Sequence, residues 1–141
     1  MTHRFSDSSA LLRLLLGEPG ETIRLDDGPI HASILADIEC HRAMYRAHAL
    51  GRLSDRELAI KLGELERLLS ALTVYMLTPE VVALARAPHA IATVRSLDAI
   101  HVATACLVAR HLPAPVEFWT HDERQATAAL SLGLTLRGVS V

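Results

Sequence analysis

The sequence predicts an α/β fold: a three-layer α/β/α sandwich around a mostly parallel central sheet of four to five strands. Two observations support this prediction. Short β-prone segments alternate with longer segments of helical periodicity, and such alternation is typical of a parallel sheet with helices on both faces. The chain also has 141 residues, half of them hydrophobic. That is enough for one domain over residues 1–141 to bury a core.

Five segments are expected to form the sheet, at residues 1–6, 30–32, 74–77, 116–120 and 134–136. The first is only weakly strand-like, whereas the fourth is rich in β-prone side chains. Helices are expected at residues 10–16, 33–49, 54–70, from 79 onward, 96–108 and 122–132. Pro88 and His89 are expected to interrupt the chain between the fourth and fifth helices.

Several helix starts carry residues that favour capping. Ser33 is expected to cap the second helix and Ser96 the fifth, because a serine hydroxyl can accept a hydrogen bond from the first turn. Ser54 and Glu57 have the spacing of a capping box for the third helix. The leucines of that helix are expected either to pack in the core or to contact a partner.

Charge and composition exclude several classes of protein. The net charge is −2, which does not indicate a protein that binds nucleic acid mainly by neutralising phosphates. No apolar run approaches the roughly 18 residues of a membrane span, and the N-terminus lacks the apolar core of a signal peptide. Cys40 and Cys106 form no CxxC motif. We therefore expect buried thiols in a cytoplasmic protein without a membrane contact.

Three aspartates each have an ordinary structural explanation. Asp7 lies between the first strand and the first helix, where it can act as an N-cap. Asp122 precedes Gln125 by three residues at the start of the last helix, which is again the spacing of a cap. Asp98 is near the start of the fifth helix, where a negative charge suits the helix dipole. Its surroundings are otherwise apolar, so the charge requires a partner.

Glu39 lies inside the second helix and shares a stripe with Arg42 and Arg46, three and seven residues further on. An exposed ion-pair network is the ordinary interpretation of such a stripe.

Considered together, the four acids favour a metal site. Ligands of parallel α/β sheets bind beyond the carboxyl ends of the strands. Asp7 and Asp122 each follow a strand, and the helices carrying Asp98 and Glu39 can reach the same edge. Carboxylates brought together in a partly desolvated cleft repel one another. A hard divalent cation such as Mg²⁺ or Mn²⁺ removes that repulsion and can assist phosphoryl transfer.

The chain resembles the PIN-domain ribonucleases, and in particular the VapC toxins of bacterial toxin–antitoxin pairs. The resemblance covers almost the whole chain. The matching stretches are Asp7–Leu11, Glu39, Leu97–Ala105 and Thr120–Arg124, in the order and approximate spacing of the family.

This resemblance implies a metal-dependent endoribonuclease with a PIN-like fold. Asp7, Glu39, Asp98 and Asp122 would be the catalytic and metal-binding acids, and Thr120 the supporting hydroxyl. The cofactor would be Mg²⁺ or Mn²⁺, and water attack would leave a 5′-phosphate and a 3′-hydroxyl. The implied partners are an RNA substrate such as a tRNA or rRNA loop, a cognate VapB-type antitoxin and a second copy of the chain. As an alternative to ion pairing, Arg42 and Arg46 would line the groove that the antitoxin occupies.

The chain departs from the family in its first strand, where His3 and Arg4 replace apolar residues. We therefore expect the pairing of that strand to be loose. His121, between Thr120 and Asp122, is given no catalytic role.

Three alternatives remain. A non-catalytic PIN-like module would keep the fold without the activity. A phosphatase or receiver domain normally places a lysine near the phosphate, but Lys61 falls within a helix and Ser9 occupies the place of a second aspartate. A zinc site lacks ligands at short spacing, so His101 is interpreted as a packed core residue.

Overall fold

The computed structural model describes residues 2–88 and 94–139. Five strands form one sheet in the order β3-β2-β1-β4-β5. Their bounds are His3–Ser6 (β1), Ile30–Ser33 (β2), Thr73–Tyr75 (β3), Val116–Trp119 (β4) and Thr135–Arg137 (β5). Every neighbouring pair is parallel. The predicted parallel sheet is confirmed, although β3 ends before Met76 and Leu77, which are exposed.

Six helices in the described part of the chain connect these strands. They are α1 (Ser8–Leu16), α2 (Ile34–Ala49), α3 (Asp55–Ser70), α4 (Pro79–Ala85), α5 (Ser96–His111) and α6 (Glu123–Ser131). Their order agrees with the predicted order. The predicted interruption at Pro88 and His89 is tested only at Pro88, which follows α4 without helical structure, because His89 lies outside the described residues. None of the described helices is long and apolar enough to cross a membrane.

The side chains of the strands alternate between two helical layers. On one face, Phe5 and Phe118 stack with ring centroids 5.7 Å apart and pack against α5 and α6. On the other face, Ala32 packs with α1, α2 and α3. The predicted α/β/α sandwich is therefore confirmed. Leu65 and Leu68 of α3 are buried in this second cluster. Core packing, one of the two expectations for the leucines of α3, is therefore correct for these two side chains.

The helix caps agree with the sequence at α2 and α3 and differ at α5. Ser33 caps α2, and Ser54 forms the expected capping box with Glu57 at α3. At α5 the N-cap is Arg95, which has an extended backbone, while Ser96 is already helical. Ala99 accordingly donates its backbone N–H to the carbonyl of Arg95 at 2.8 Å. The expectation that Ser96 is the cap is therefore wrong by one residue.

Strand β1 is the centre of the sheet, and Arg4 does not loosen it. The strand pairs with β2 on one side and with β4 on the other. The side chain of Arg4 is buried, and its guanidinium donates hydrogen bonds to the carbonyl oxygens of Arg24 and Gly28. The expectation of loose pairing is wrong because these carbonyls stabilise the buried charge and tie the 24–28 turn to the sheet.

An Arg4→Met variant is expected to lower the free energy of unfolding by about 2 kcal/mol, because two carbonyl oxygens lose a charged donor. Urea unfolding followed by circular dichroism measures this change. Arg24→Met is the matched control, since that side chain is 68% exposed and its loss should change stability by less than about 0.5 kcal/mol. Equal stability of the two variants would contradict the role given to Arg4.

Both cysteines are free and buried, as expected. Burial, helped by the neighbouring carboxylate of Glu39, raises the pKa of the Cys40 thiol to about 12. The thiol of Cys40 is therefore neutral and unreactive at physiological pH, as a packed core residue should be.

Candidate active site

The carboxyl ends of β1 and β4 meet because these strands are paired in register, with Ser6 opposite Trp119. Asp7 follows β1 directly, and Asp122 lies three residues beyond the end of β4. A cavity of about 380 Å³ opens at this edge of the sheet, and all four predicted acids line it: Asp7, Glu39, Asp98 and Asp122. We call it the acid cavity. Asp98 reaches it from the first turn of α5 and Glu39 from α2.

Asp7 is the most deeply buried of the four acids, with 1% of its surface exposed. Its carboxylate caps α1 by accepting the backbone N–H of Ala10 at 3.0 Å. It also accepts the hydroxyl of Thr120 at 2.5 Å. Burial raises the pKa of Asp7, and the hydrogen bonds from Thr120, Ala10 and Ser9 offset part of that rise. A nearby cation stabilises the ionised form of a buried carboxylate whose pKa is raised.

Thr120 lies behind Asp7 and connects it to Asp122. Its hydroxyl donates to Asp7 and accepts the backbone N–H of Asp122 at 3.0 Å. Thr120 is fully buried and is not part of the cavity wall. Its place supports the predicted role of a supporting hydroxyl, because one side chain fixes the relative position of two acids.

Ser9 is a site residue that the sequence analysis noted only in the place of a second aspartate. Its hydroxyl approaches both oxygens of Asp7, at 2.7 and 2.9 Å. The same oxygen accepts the backbone N–H of His121 at 2.8 Å. The spacing Asp-x-Ser at a strand end was the signal that could have identified it. His121 contributes its backbone N–H to this arrangement.

Asp98 is held from α6. One carboxylate oxygen accepts the side-chain amide of Gln125 at 2.9 Å. Among the described residues the other oxygen is buried without a hydrogen bond, although the Arg95 guanidinium lies 3.6 Å away. Arg95 is 66% exposed, so solvent weakens that interaction. Asp98 thus lines the acid cavity with one of its two oxygens short of partners in the described part of the chain.

Gln125 does not complete the capping arrangement that its spacing suggested. Asp122 caps α6 by accepting the backbone N–H groups of Arg124 and Gln125, at 2.9 and 3.1 Å. The side chain of Gln125 turns instead to Asp98 and is buried. The predicted cap is therefore confirmed for Asp122, while the side chain of Gln125 positions a different acid.

Glu39 of α2 pairs with a histidine of α5. Its carboxylate lies 2.5 Å from Nε2 of His101, which is 1% exposed. Because a carboxylate only accepts, Nε2 donates this hydrogen bond, and Nδ1 is buried with no hydrogen-bond partner among the described residues. The expected ion pairs with Arg42 and Arg46 are wrong within the described residues, since Glu39 points across to α5. His101 is buried as predicted, but it also contacts a candidate catalytic acid.

The chemistry of the acid cavity fits a hard cation. Its acids offer carboxylate oxygens, the ligands that Mg²⁺ and Mn²⁺ prefer. One oxygen of Asp98 is a buried acceptor that finds no hydrogen bond within the described part of the chain. Within residues 2–88 and 94–139, no three acidic, histidine or cysteine side chains are already arranged to hold a metal. Each acid is instead held by its own protein partner, so their roles as ligands stay a prediction.

A comparison with protein-family models matches residues 4–131 to the PIN domain. The chain belongs to the PIN-domain family. PIN domains are generally nucleases, and PIN nucleases generally use divalent metals. The family resemblance drawn from the spacing of the acids is therefore confirmed. No curated protein matches this PIN domain in sequence.

Solved structures share its fold at low sequence identity. PAE2754 from Pyrobaculum aerophilum is 18% identical with a TM-score of 0.60, over 96% of this chain and 83% of that one. A toxin–antitoxin complex from Klebsiella pneumoniae is 16% identical with a TM-score of 0.54, over 91% and 93%. VapBC2 from Rickettsia felis, bound to a DNA fragment from its promoter, is 9% identical with a TM-score of 0.63, over 99% and 100%. These likenesses establish the fold.

Proposed function

We propose that this PIN domain is a metal-dependent endoribonuclease and the toxin of a type II toxin–antitoxin pair of the VapBC kind. One observation carries the proposal: acids from α2, α5 and the ends of β1 and β4 line a single cavity at the carboxyl edge of the sheet. Each acid is also positioned by a hydrogen bond. Helix capping accounts for Asp7 and Asp122 separately, but it does not account for Glu39 and Asp98 lining the same cavity.

In this proposal Asp7, Asp98 and Asp122 hold Mg²⁺ or Mn²⁺, and Glu39 completes the ligand set or accepts a proton from the attacking water. A bound divalent cation supplies charge stabilisation at the phosphate and orientation of the water. The water oxygen forms a bond to phosphorus, and the bond from phosphorus to the 3′-oxygen breaks. The products are a 5′-phosphate and a 3′-hydroxyl, which takes up a proton.

The proposed partners follow from the family and from its structural neighbours. Two structures of the same fold are the toxin–antitoxin complex from Klebsiella pneumoniae and VapBC2 from Rickettsia felis, which supports a VapB-type antitoxin that silences this chain. We propose a homodimer of single-domain subunits over residues 1–141, located in the cytoplasm. The proposed substrate is an exposed loop of a structured RNA such as tRNA or rRNA, where bases are accessible.

The phosphatase or receiver alternative has little support from the structure. Such a site needs a cation at the phosphate, and Lys61 is the only lysine of the chain. Its ammonium group donates to the carbonyl of Leu15 and contacts Glu64, at 2.7 and 3.1 Å. Lys61 does not line the acid cavity, so it is not placed to hold a phosphate there.

Metal removal tests the proposal directly. Purified protein, free of antitoxin, is incubated with tRNA and with single-stranded RNA in Mg²⁺, in Mn²⁺ or in EDTA. We expect cleavage with either cation, none in EDTA, and recovery when excess Mg²⁺ is added back to the same sample. The 5′ ends of the fragments should carry phosphate, shown by their sensitivity to a 5′-phosphate-dependent exonuclease.

Two outcomes would contradict the proposal. Cleavage that persists in EDTA would exclude the metal-dependent mechanism. Absence of cleavage of any RNA in the presence of both cations, with the protein folded by circular dichroism, would favour the non-catalytic PIN-like module.

A further inference from the structure

A second, larger groove begins where the acid cavity ends. It has a volume of about 920 Å³ and is formed by α2, the turn that follows it and the start of α5. Glu39 and Leu97 line both the acid cavity and this groove. A ligand in the groove is therefore adjacent to the candidate active site.

Three exposed arginines line the groove: Arg42, Arg46 and Arg52. Arg42 and Arg46 are one helical turn apart on α2, so their side chains share one face. Within the described residues, none of the three guanidinium groups has an ion pair or a side-chain hydrogen bond, and Glu39 is the one acid on the wall. We call this surface the arginine groove.

Tyr45 adds an aromatic surface to the same wall. Its side chain is 45% exposed on α2, three residues after Arg42 and so on the same face, in a chain with only two tyrosines, two phenylalanines and one tryptophan. An exposed ring beside cationic side chains is the combination on which single-stranded nucleic acid binds, with phosphates on the cations and a base stacked on the ring. The remaining wall is mostly aliphatic.

We infer that the arginine groove binds a single-stranded RNA segment that flanks the scissile phosphate in the acid cavity. This inference rests on the proposed ribonuclease function. The chain carries a net charge of −2, and four carboxylates line the cavity that a polyanion would have to enter. Binding RNA therefore requires nearby cationic side chains that are not neutralised by carboxylates. The arginine groove supplies three such side chains beside that cavity.

An acidic protein segment is the competing occupant. The arginines and the aliphatic wall would also suit an acidic amphipathic helix. The exposed Tyr45 ring and the continuity with the acid cavity through Glu39 and Leu97 favour RNA, because a substrate strand must extend past the reacting phosphate.

The test compares two triple variants that remove the same charge. One carries Arg42→Gln, Arg46→Gln and Arg52→Gln. The matched control carries Arg67→Gln, Arg86→Gln and Arg110→Gln, three exposed arginines that do not line either cavity. Binding of a fluorescein-labelled single-stranded RNA of about 12 nucleotides is measured by anisotropy in EDTA, over a series of salt concentrations.

We expect the groove variant to raise Kd at least about tenfold and to reduce the slope of log Kd against log salt by about 2, since each phosphate contact on a single strand contributes roughly 0.7. The control variant should bind like the wild type. Tyr45→Ala should raise Kd about five- to tenfold while Tyr45→Phe retains binding, because stacking needs only the ring.

Equal Kd values for the groove variant and the control would overturn the inference and would indicate another occupant, such as an acidic protein segment. Absence of RNA binding by the wild type would overturn it too. Because the titrations use EDTA, they are independent of cleavage. If the wild type cleaves RNA in Mg²⁺ but the groove variant still binds RNA normally, only the groove assignment is refuted. If RNA binding depends on the groove but no metal supports cleavage, only the ribonuclease function is refuted.

Discussion

An Asp7→Asn variant is expected to lose about three orders of magnitude in the rate of RNA cleavage, since a central electrostatic group of the site is removed. The amide has nearly the shape of the carboxyl group, and asparagine is as good a helix cap as aspartate. The substitution therefore removes the charge while keeping the cap of α1. Initial rates of cleavage in Mg²⁺ measure the loss, and Asp98→Asn should show a similar one.

The same variant should unfold at a temperature no lower than that of the wild type in EDTA. Burial raises the pKa of the Asp7 carboxyl above its ordinary value of 3.8. Between 3.8 and that raised value, the folded protein binds more protons than the unfolded chain. The free energy of unfolding of the wild type therefore falls as pH rises through this window. The variant has no carboxyl group at this position, so its stability relative to wild type should increase as pH rises above 3.8.

Asp26→Asn is the control, because this exposed acid does not line the acid cavity. It should cleave RNA at the wild-type rate. A folded Asp7→Asn protein with wild-type activity would contradict the role of Asp7 in the site. A large loss of stability in that variant at neutral pH would contradict the argument from the buried charge.

The order of strands and helices was predictable because it depends on local periodicity. The same holds for the places of Asp7 and Asp122. Each follows a strand, and paired parallel strands end at one edge of the sheet. The topology therefore places both residues at that edge, independently of the contacts of their side chains.

The partners of the acids were not predictable, because one local pattern is compatible with several tertiary contacts. Gln125 has the spacing of a capping residue, yet its side chain reaches Asp98 on another helix. Glu39 has arginines at helical spacing, yet it bonds to His101, 62 residues away. Arg4 is a comparable case, since its hydrogen bonds go to carbonyls in a distant turn. No local rule of sequence distinguishes these choices, because they depend on which helices pack together.

The contact between His101 and Glu39 makes His101 a positioning residue for the proposed reaction. A His101→Leu variant is expected to lower kcat about 10- to 100-fold with little change in KM, the usual effect of losing a group that orients a site carboxylate. The leucine has no donor, so the Glu39 carboxylate, 31% exposed, becomes free to adopt other rotamers. Steady-state cleavage of a labelled RNA in Mg²⁺ measures both constants.

Rescue distinguishes this role from simple packing. His101→Gln places an amide donor near the position of Nε2, so it should recover a substantial part of kcat, whereas a residue needed only to fill space would be replaced equally well by leucine. His111→Leu is the matched control on the same helix, because His111 is exposed and does not line the acid cavity. Equal kcat values for His101→Leu and His101→Gln, at equal melting temperatures, would show that Glu39 is positioned without His101. A recovery confined to the glutamine variant would assign the hydrogen bond at 2.5 Å a part in catalysis, since both replacements fill the same buried space.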